Sequence, residues 1–437
     1  MFTTLKNAFK IKEIRQKILF TLAMLVVIRI GSQLPVPGVN TAYFAQWFAA
    51  QAGGAFSFFD AITGGSFASM AILALGINPY ITSSIIMQLL TIAIPKLEEM
   101  QKDGEDGRKK IASITRYVTV ALALIQATAM AVGFGNQGYL IEYNAMSVIT
   151  AVAALTAGSA FLMWIGERIT EKGVGNGISI VLVINIISRL PQDLSNLFDQ
   201  FVIGKAPATA ILAAVIIIAI IVAMVVLVII LNGGVRKIPV QYAKKVQGRK
   251  MVGGQTSNIP MKVNTSGVIP VIFASSLLQF PIIISSFVGY QGTGVWSEIL
   301  KGLNSQYWCN PSMPIYSIGL LVYILLIVFF AYFYTSITFN PLMIADNMKK
   351  QGGFIPGIRP GKPTSDYLNR VLNHIVFIGA VGLIIVSVIP FIFNGVFGAS
   401  VSFGGTSLII IVSVILETMK QIESQMLVRN YKGFLED

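Results

Sequence analysis

Gly76-Ile77-Asn78-Pro79-Tyr80-Ile81-Thr82-Ser83-Ser84-Ile85-Ile86-Met87-Gln88 returns later in the chain, without a gap, as Gly267-Val268-Ile269-Pro270-Val271-Ile272-Phe273-Ala274-Ser275-Ser276-Leu277-Leu278-Gln279. Gly, Pro, Ile, Ser and Gln recur at equivalent places. Each copy also opens with Pro in the first turn of an expected helix, where its missing N–H is harmless. Chance likeness between two apolar, Ser-rich helices competes with a true repeat, because the comparison is short. What a repeat would mean depends on how many membrane spans separate the copies.

The composition calls for many spans. Of the 437 residues, 54% are hydrophobic and only 12% charged, with a mean hydropathy of +0.73, whereas a soluble domain carries about a quarter charged residues. A hydrocarbon core of about 30 Å needs roughly 20 apolar residues per helix. The clearest such stretches are Ala208 to Leu231, Val268 to Val288, Pro314 to Phe339 and Ile375 to Phe393. Shorter candidates are Ile18 to Leu34, Asn78 to Ile94, Tyr117 to Phe134, Ser147 to Ile165, Ile178 to Leu190 and Thr406 to Met419, which brings the total to about ten. Ile18 to Ile28 runs into Arg29, Pro35 and Pro37 without a small-residue cleavage site. It therefore reads as the first span rather than a cleaved leader, with Arg29 snorkelling toward the outer interface.

Charge placement tests that count. Of 32 Lys and Arg residues, 28 fall in six alternate segments: the N-terminal tail, 95–116, 166–176, 232–266, 340–371 and 420–437. The others are Arg29, Arg189, Lys205 and Lys301. Basic segments stay on the cytoplasmic side, so both termini lie there and the number of spans is even. Ten spans place the repeat at spans two and seven and divide the chain into two halves of five. An odd number per half inverts the second half, an architecture that puts a site or pore between the halves. The expected organisation is a tail over 1–17, halves over 18–190 and 191–419, and a second tail over 420–437.

Chemistry-bearing residues are scarce. Cys309 is the only cysteine and is expected in an outer loop, so no intrachain disulfide forms, and His374 alone lacks the companions a metal site needs. No phosphate-binding loop, nucleophile elbow or zinc motif occurs, so an enzyme is not expected. The expected spans hold essentially only Arg29 and Glu417 as charged residues. That weakens an ion-coupled transporter, which usually places ionisable groups deep in its spans. A protein-conducting channel, a small-solute transporter with inverted repeats and a membrane scaffold remain the classes to separate.

Three segments exceed mere connection. The loop 232–266 carries Arg236, Lys237, Lys244, Lys245, Arg249, Lys250 and Lys262 and no acidic residue. The loop 340–371 interleaves four glycines with Pro356, Pro360 and Pro363. Both suggest docking surfaces for something large and soluble. Before span two, Phe56 to Leu73 is apolar but broken by Gly64 and Gly65. It reads as a short re-entrant helix covered by protein or lining a cavity, or else as an amphipathic helix on the outer surface.

Ile28-Arg29-Ile30-Gly31 followed by Pro35-Val36-Pro37, the Gly76 to Leu90 stretch, Ile169 to Ser179 (ITEKGVGNGIS), Gly267 to Pro281, and Ala345 to Gly361 (ADNMKKQGGFIPGIRPG) resemble the SecY family in order along nearly the whole chain. The resemblance implies an all-α protein of about ten transmembrane helices in two inverted five-helix halves, a clamshell around an hourglass pore. The implied function is that of the bacterial Sec translocase channel, which moves unfolded secretory chains across the cell membrane and releases transmembrane segments laterally into lipid. It requires no cofactor. The Gly-broken segment becomes the plug, roughly 60–73, with Asp60, Gly64, Gly65, Phe67 and Met70. An apolar pore ring falls on Ile81, Ile85, Ile178, Leu182, Ile272 and Ile410, with Leu182 standing where related sequences often have Ile. From spacing alone these six are ordinary helix packing. A lateral gate would involve spans two, three, seven and eight, with Gln88, Gln126 and Ser276 as a weak polar latch, or simply as packing, and Phe280 beside them. The implied partners are the SecE and SecG membrane subunits, the SecA ATPase, the ribosome, signal sequences, nascent chains and membrane lipid. Arg249, Lys250 and Arg359 are the expected docking residues for the soluble ones.

Overall fold

A computed structural model describes residues 8–50, 55–135, 138–203, 207–242, 245–247, 250–252, 256–287, 294–397 and 405–432. The first half contains α1 (Lys12–Gly31), α2 (Thr41–Ala50), α3 (Ala55–Thr63), α4 (Asn78–Ala93), α5 (Pro95–Lys102), α6 (Glu105–Gly135), α7 (Ala145–Lys172) and α8 (Gly177–Phe201). The second contains α9 (Pro207–Gly233), strands β1 (Val235–Tyr242), β2 (Lys245–Gln247), β3 (Lys250–Val252) and β4 (Thr256–Lys262), then α10 (Ile269–Phe287), α11 (Val295–Leu303), α12 (Ile318–Thr338), α13 (Pro341–Lys350), β5 (Gly353–Phe354), α14 (Lys362–Phe397) and α15 (Gly405–Lys432). Helices α1, α4, α6, α7, α8, α9, α10, α12, α14 and α15 occupy the places of the ten expected spans.

Length and apolarity alone identify fewer. Among the described residues, six helices can cross a membrane by those criteria, and α4 with α5 adds a seventh only as a pair bent by 107°. The shortfall has local causes: α1 opens on Lys12, Glu13, Arg15 and Lys17, and α15 carries charge through its second half.

Packing supplies what length does not. In the first half α1 packs on α7 and α8, α4 on α6, α6 on α7, and α7 on α8. In the second half α9 packs on α14 and α15, α10 on α12, α12 on α14, and α14 on α15. One set becomes the other when α1, α4, α6, α7 and α8 are exchanged for α9, α10, α12, α14 and α15. The sequence repeat has the same local geometry in both copies: Gly76 and Gly267 take positive φ (61° and 64°), and each helix begins two residues later with Pro in its first turn. The left-handed conformation admits glycine at little cost, which explains why both copies start with one. The halves meet where α8 packs on α9 and α15 and where α6 packs on α10.

The plug helix lies earlier than 60–73. It occupies Ala55–Thr63, and positive φ at Gly64 (70°) and Gly65 (87°) ends it. Residues 64–77 continue as hydrogen-bonded turns. Val36 N–H donates to the Met70 carbonyl at 3.0 Å and Ile72 N–H to the Leu34 carbonyl at 2.8 Å, tying the segment to the chain leaving α1. The segment is buried rather than laid on a surface: Asp60, Ala61, Thr63, Ser66, Phe67, Met70 and Ala71 are all at most 3% exposed.

The two basic loops form one body. β1 pairs antiparallel with β4 from Val235↔Lys262 to Gln241↔Thr256, and its other edge takes β5 from the second loop. Ile238 and Val240, alternating along β1, are buried with Met261 against Leu368, Leu372, Ile375 and Val376 of α14. Away from this sheet, the Tyr316 hydroxyl donates to Glu298, and Lys301 lies 3.0 Å from the same carboxylate. Together they hold that carboxyl below its usual range and fix α11 near the start of α12.

Candidate functional site

A cavity of about 280 Å³ lies where the halves meet, with walls from α3, α4, α6, α8, α10 and α15. Ile81, Leu182, Ile272 and Ile410 line it, two from each half. Ile178 belongs to the same apolar cluster as those four without reaching the cavity, and Ile85, one turn along α4 from Ile81, belongs to neither. Four of the six expected ring residues thus face one space. Its volume is that of on the order of ten water molecules.

The segment expected to be the plug borders one side of this space. Phe59, Ile62 and Phe67 line the cavity. Phe67 also sits edge-on to Phe44, Phe59 and Phe134, with centroids 5.7, 5.1 and 6.4 Å away, so one ring joins the cavity wall to an aromatic core on the far side. Leu75, Asn78, Thr82, Ile125, Ala129, Met130, Gln279 and Ile284 also line it, and none of them was given a site role from sequence. Gln279 is the repeat partner of Gln88, and the repeat was the signal that pointed to it.

The expected gate residues divide. Gln126, Ser276 and Phe280 line the cavity, whereas Gln88 is exposed and does not. Among the described residues no hydrogen bond joins Gln88, Gln126 and Ser276, so the polar latch is absent from this conformation. The rim between α6 and α10 is apolar and open, with Ile125 and Phe280 each 64% exposed.

Charge near the plug was the main omission of the sequence reading. Asp60 is fully buried; Arg189 Nη2 lies 2.6 Å from its Oδ2, and Oδ1 accepts from the Ala68 N–H at 2.7 Å. Arg29 does not snorkel outward. Its Nη1 donates to the Gly64 carbonyl at 3.1 Å and to Ser188 Oγ at 3.0 Å. Helix α8 continues through Pro191 to Phe201, so Arg189 and the buried Asp193 belong to the fifth spanning helix rather than to a loop beyond it. Glu417, the other charge expected in a span, is exposed on α15.

Of the expected docking residues, Arg249 lies outside the described residues, and Lys250 begins β3. Arg359 is exposed in a turn between Gly357 (φ 82°) and Gly361 (φ 100°), and Thr364 Oγ1 donates to its carbonyl at 2.8 Å. His374 is exposed on α14, its Nδ1 2.6 Å from the Arg370 carbonyl oxygen one turn back.

Known proteins match this arrangement over the full chain. The family profile described as SecY covers residues 71–419. The protein translocase subunit SecY of Halalkalibacterium halodurans is 45% identical over 454 residues, with all of both chains covered. A solved structure concerned with the plug domain of the SecY protein and the closed state of the translocation channel aligns with TM-score 0.63 at 18% identity, over 97% of each chain. Sec61 in the canine ribosome-channel complex aligns with TM-score 0.60 at 19% identity, again over 97% of each. With its multi-span helical architecture and a cavity between two halves, the chain belongs to the SecY family of protein translocase channels.

Proposed function

We propose that the cavity between the halves is the closed waist of the protein-conducting path. The observation that carries this reading is that Ile81 and Leu182 of one half, Ile272 and Ile410 of the other, and Phe67 of the plug all line one small space. A path for chains of any sequence cannot depend on specific hydrogen bonds. A collar of aliphatic side chains excludes water when empty and conforms around whatever passes. Separation of α6 from α10 at the open rim would lead from the same cavity into lipid, and transmembrane segments leave by that route.

Signal sequences and nascent secretory chains are the ligands of this site. SecE and SecG are its membrane partners, and SecA or a translating ribosome supplies the drive. The joined basic loops are the docking face for the last two, a reading supported by the exposed Arg359 tip and by the canine channel's place in a ribosome complex. With both termini cytoplasmic, that face lies in the cytoplasm of a bacterial cell and the plug lies outward.

The test is a polar substitution in the collar. Ile410→Asn, at a position 3% exposed, is expected to raise resting ion conductance in reconstituted membranes and to admit precursors with defective signal sequences. A variant that folds, stays impermeable and keeps its selectivity would return Ile410 to plain helix packing.

A further inference from the structure

We infer that Arg29 and Arg189 form a two-armed clasp on the plug, and that the Asp60–Arg189 ion pair sets how readily a signal sequence opens the channel. The inference rests on the reading of this segment as a plug and assigns roles to charged groups which that reading does not use.

The two arms grip successive parts of one turn. Arg189, from α8, reaches the Asp60 carboxylate at the end of α3. Arg29, from α1, holds the Gly64 carbonyl and Ser188 Oγ, and Ser188 Oγ lies 2.7 Å from the Asn185 carbonyl to which it donates. The turn lies flat on α8: a Cβ on Gly64 would fall 2.9 Å from Asn185 Cα, and one on Gly65 would fall 3.6 Å from Arg189 Cδ. Both arms thus start from helices of the first half and end on the plug, and they must let go if the plug leaves.

Charge makes the release costly. Asp60 is fully buried while the Arg189 side chain keeps 22% exposure, so parting them leaves the carboxylate without its cation in an apolar site. Asp193 lies four residues along α8 from Arg189, on the same helix face, and is itself buried. Apolar contacts of Phe67 and Ile62 seat the plug in any register that fits, whereas the ion pair rewards a single position.

The test is a charge cycle in the complete reconstituted translocase, reading resting conductance and transport of a precursor with a weakened signal sequence. Asp60→Asn removes one charge with little change of shape and Arg189→Gln removes the other with a shorter side chain, and each is expected to raise both readouts by about tenfold. The double variant should match the single ones rather than multiply them, because the pair is already broken. Arg189→Lys should restore most of the closure when Asp60 is present and none of it beside Asp60→Asn, a dependence that loss of packing would not produce. Multiplicative effects in the double variant, equal effects of Lys and Gln at 189, or wild-type behaviour in the single variants would overturn the clasp. If the single variants do not accumulate as folded protein, the thermal stability of Arg189→Lys with and without Asp60 carries the same comparison. Deletion of residues 60–73, read by the same conductance assay, tests the plug reading separately: leakage from the deletion without leakage from the charge variants is a failed clasp, and no leakage from either is a failed plug assignment.

Discussion

At Gly158 the fold depends on a side chain that is not there. A Cβ at this position of α7 would stand 2.1 Å from the carbonyl oxygen of Ile72, in the segment joining plug to α4, so helix or backbone must move to admit it. Gly158→Ala is expected to lower stability by ~1–3 kcal/mol and to increase resting conductance, since the displaced strand carries the plug. Thermal unfolding in detergent together with bilayer conductance checks both. Reading single residues from sequence has uneven success for physical reasons. Gly64, Gly65, Gly76 and Gly267 declared themselves because glycine in an apolar run has few uses beyond turns and close approach. Asp60 and Arg189 did not declare their pairing, because it spans 129 positions and Arg189 sat at the very end of the stretch 178–190 taken as its span. Ile81 and Ile85 share a helix face by spacing, yet only Ile81 reaches the cavity, since the direction of that face depends on how α4 packs against α6.

Elements were placed better than they were bounded. The Gly-broken segment was found where expected, but its helix precedes the glycines because the turns after Gly65 satisfy their backbone through Leu34 and Val36. Deletion of residues 60–73 removes the cavity wall at Phe67 and both arginine contacts, and should raise ion leakage and relax signal selectivity together. Unchanged conductance in reconstituted membranes would count against a sealing role. The basic loops read as protrusions and proved to be a sheet. The clue available in advance was the alternation of Ile238 and Val240 among polar neighbours, masked by seven basic residues and a proline at 239. At the tip of the second loop, a guanidinium binds carboxylate or phosphate through two parallel hydrogen bonds and an ammonium cannot. Arg359→Glu is therefore expected to block ATP-driven transport and Arg359→Lys to impair it. Reversal of Lys250 should weaken ribosome binding and flatten its dependence on salt. Normal values in both assays would leave these charges as topology signals only.

For the molecule as a whole, the inverted repeat is the organising fact, and thirteen residues of sequence already carried it. The five helix pairs of one half recur in the other, and the cavity forms where the two sets face each other. Apolar stretches of sequence suggested about ten spans and alternating charge supported an even number, whereas helix length and apolarity identify six or seven among the described residues. Neither could reveal the size of the closed space, which is set by side-chain packing across the interface. The most direct test of this account places a photo-crosslinking residue in turn at Ile81, Leu182, Ile272 and Ile410, and at the exposed Leu325 of α12, remote from the cavity lining, as a control, in a translocase holding a stalled secretory precursor. Crosslinks to the precursor from all four cavity positions, lost when the precursor is released and absent from Leu325, are the predicted result. Crosslinks confined to one half, or equally strong from Leu325, would contradict a path between the halves.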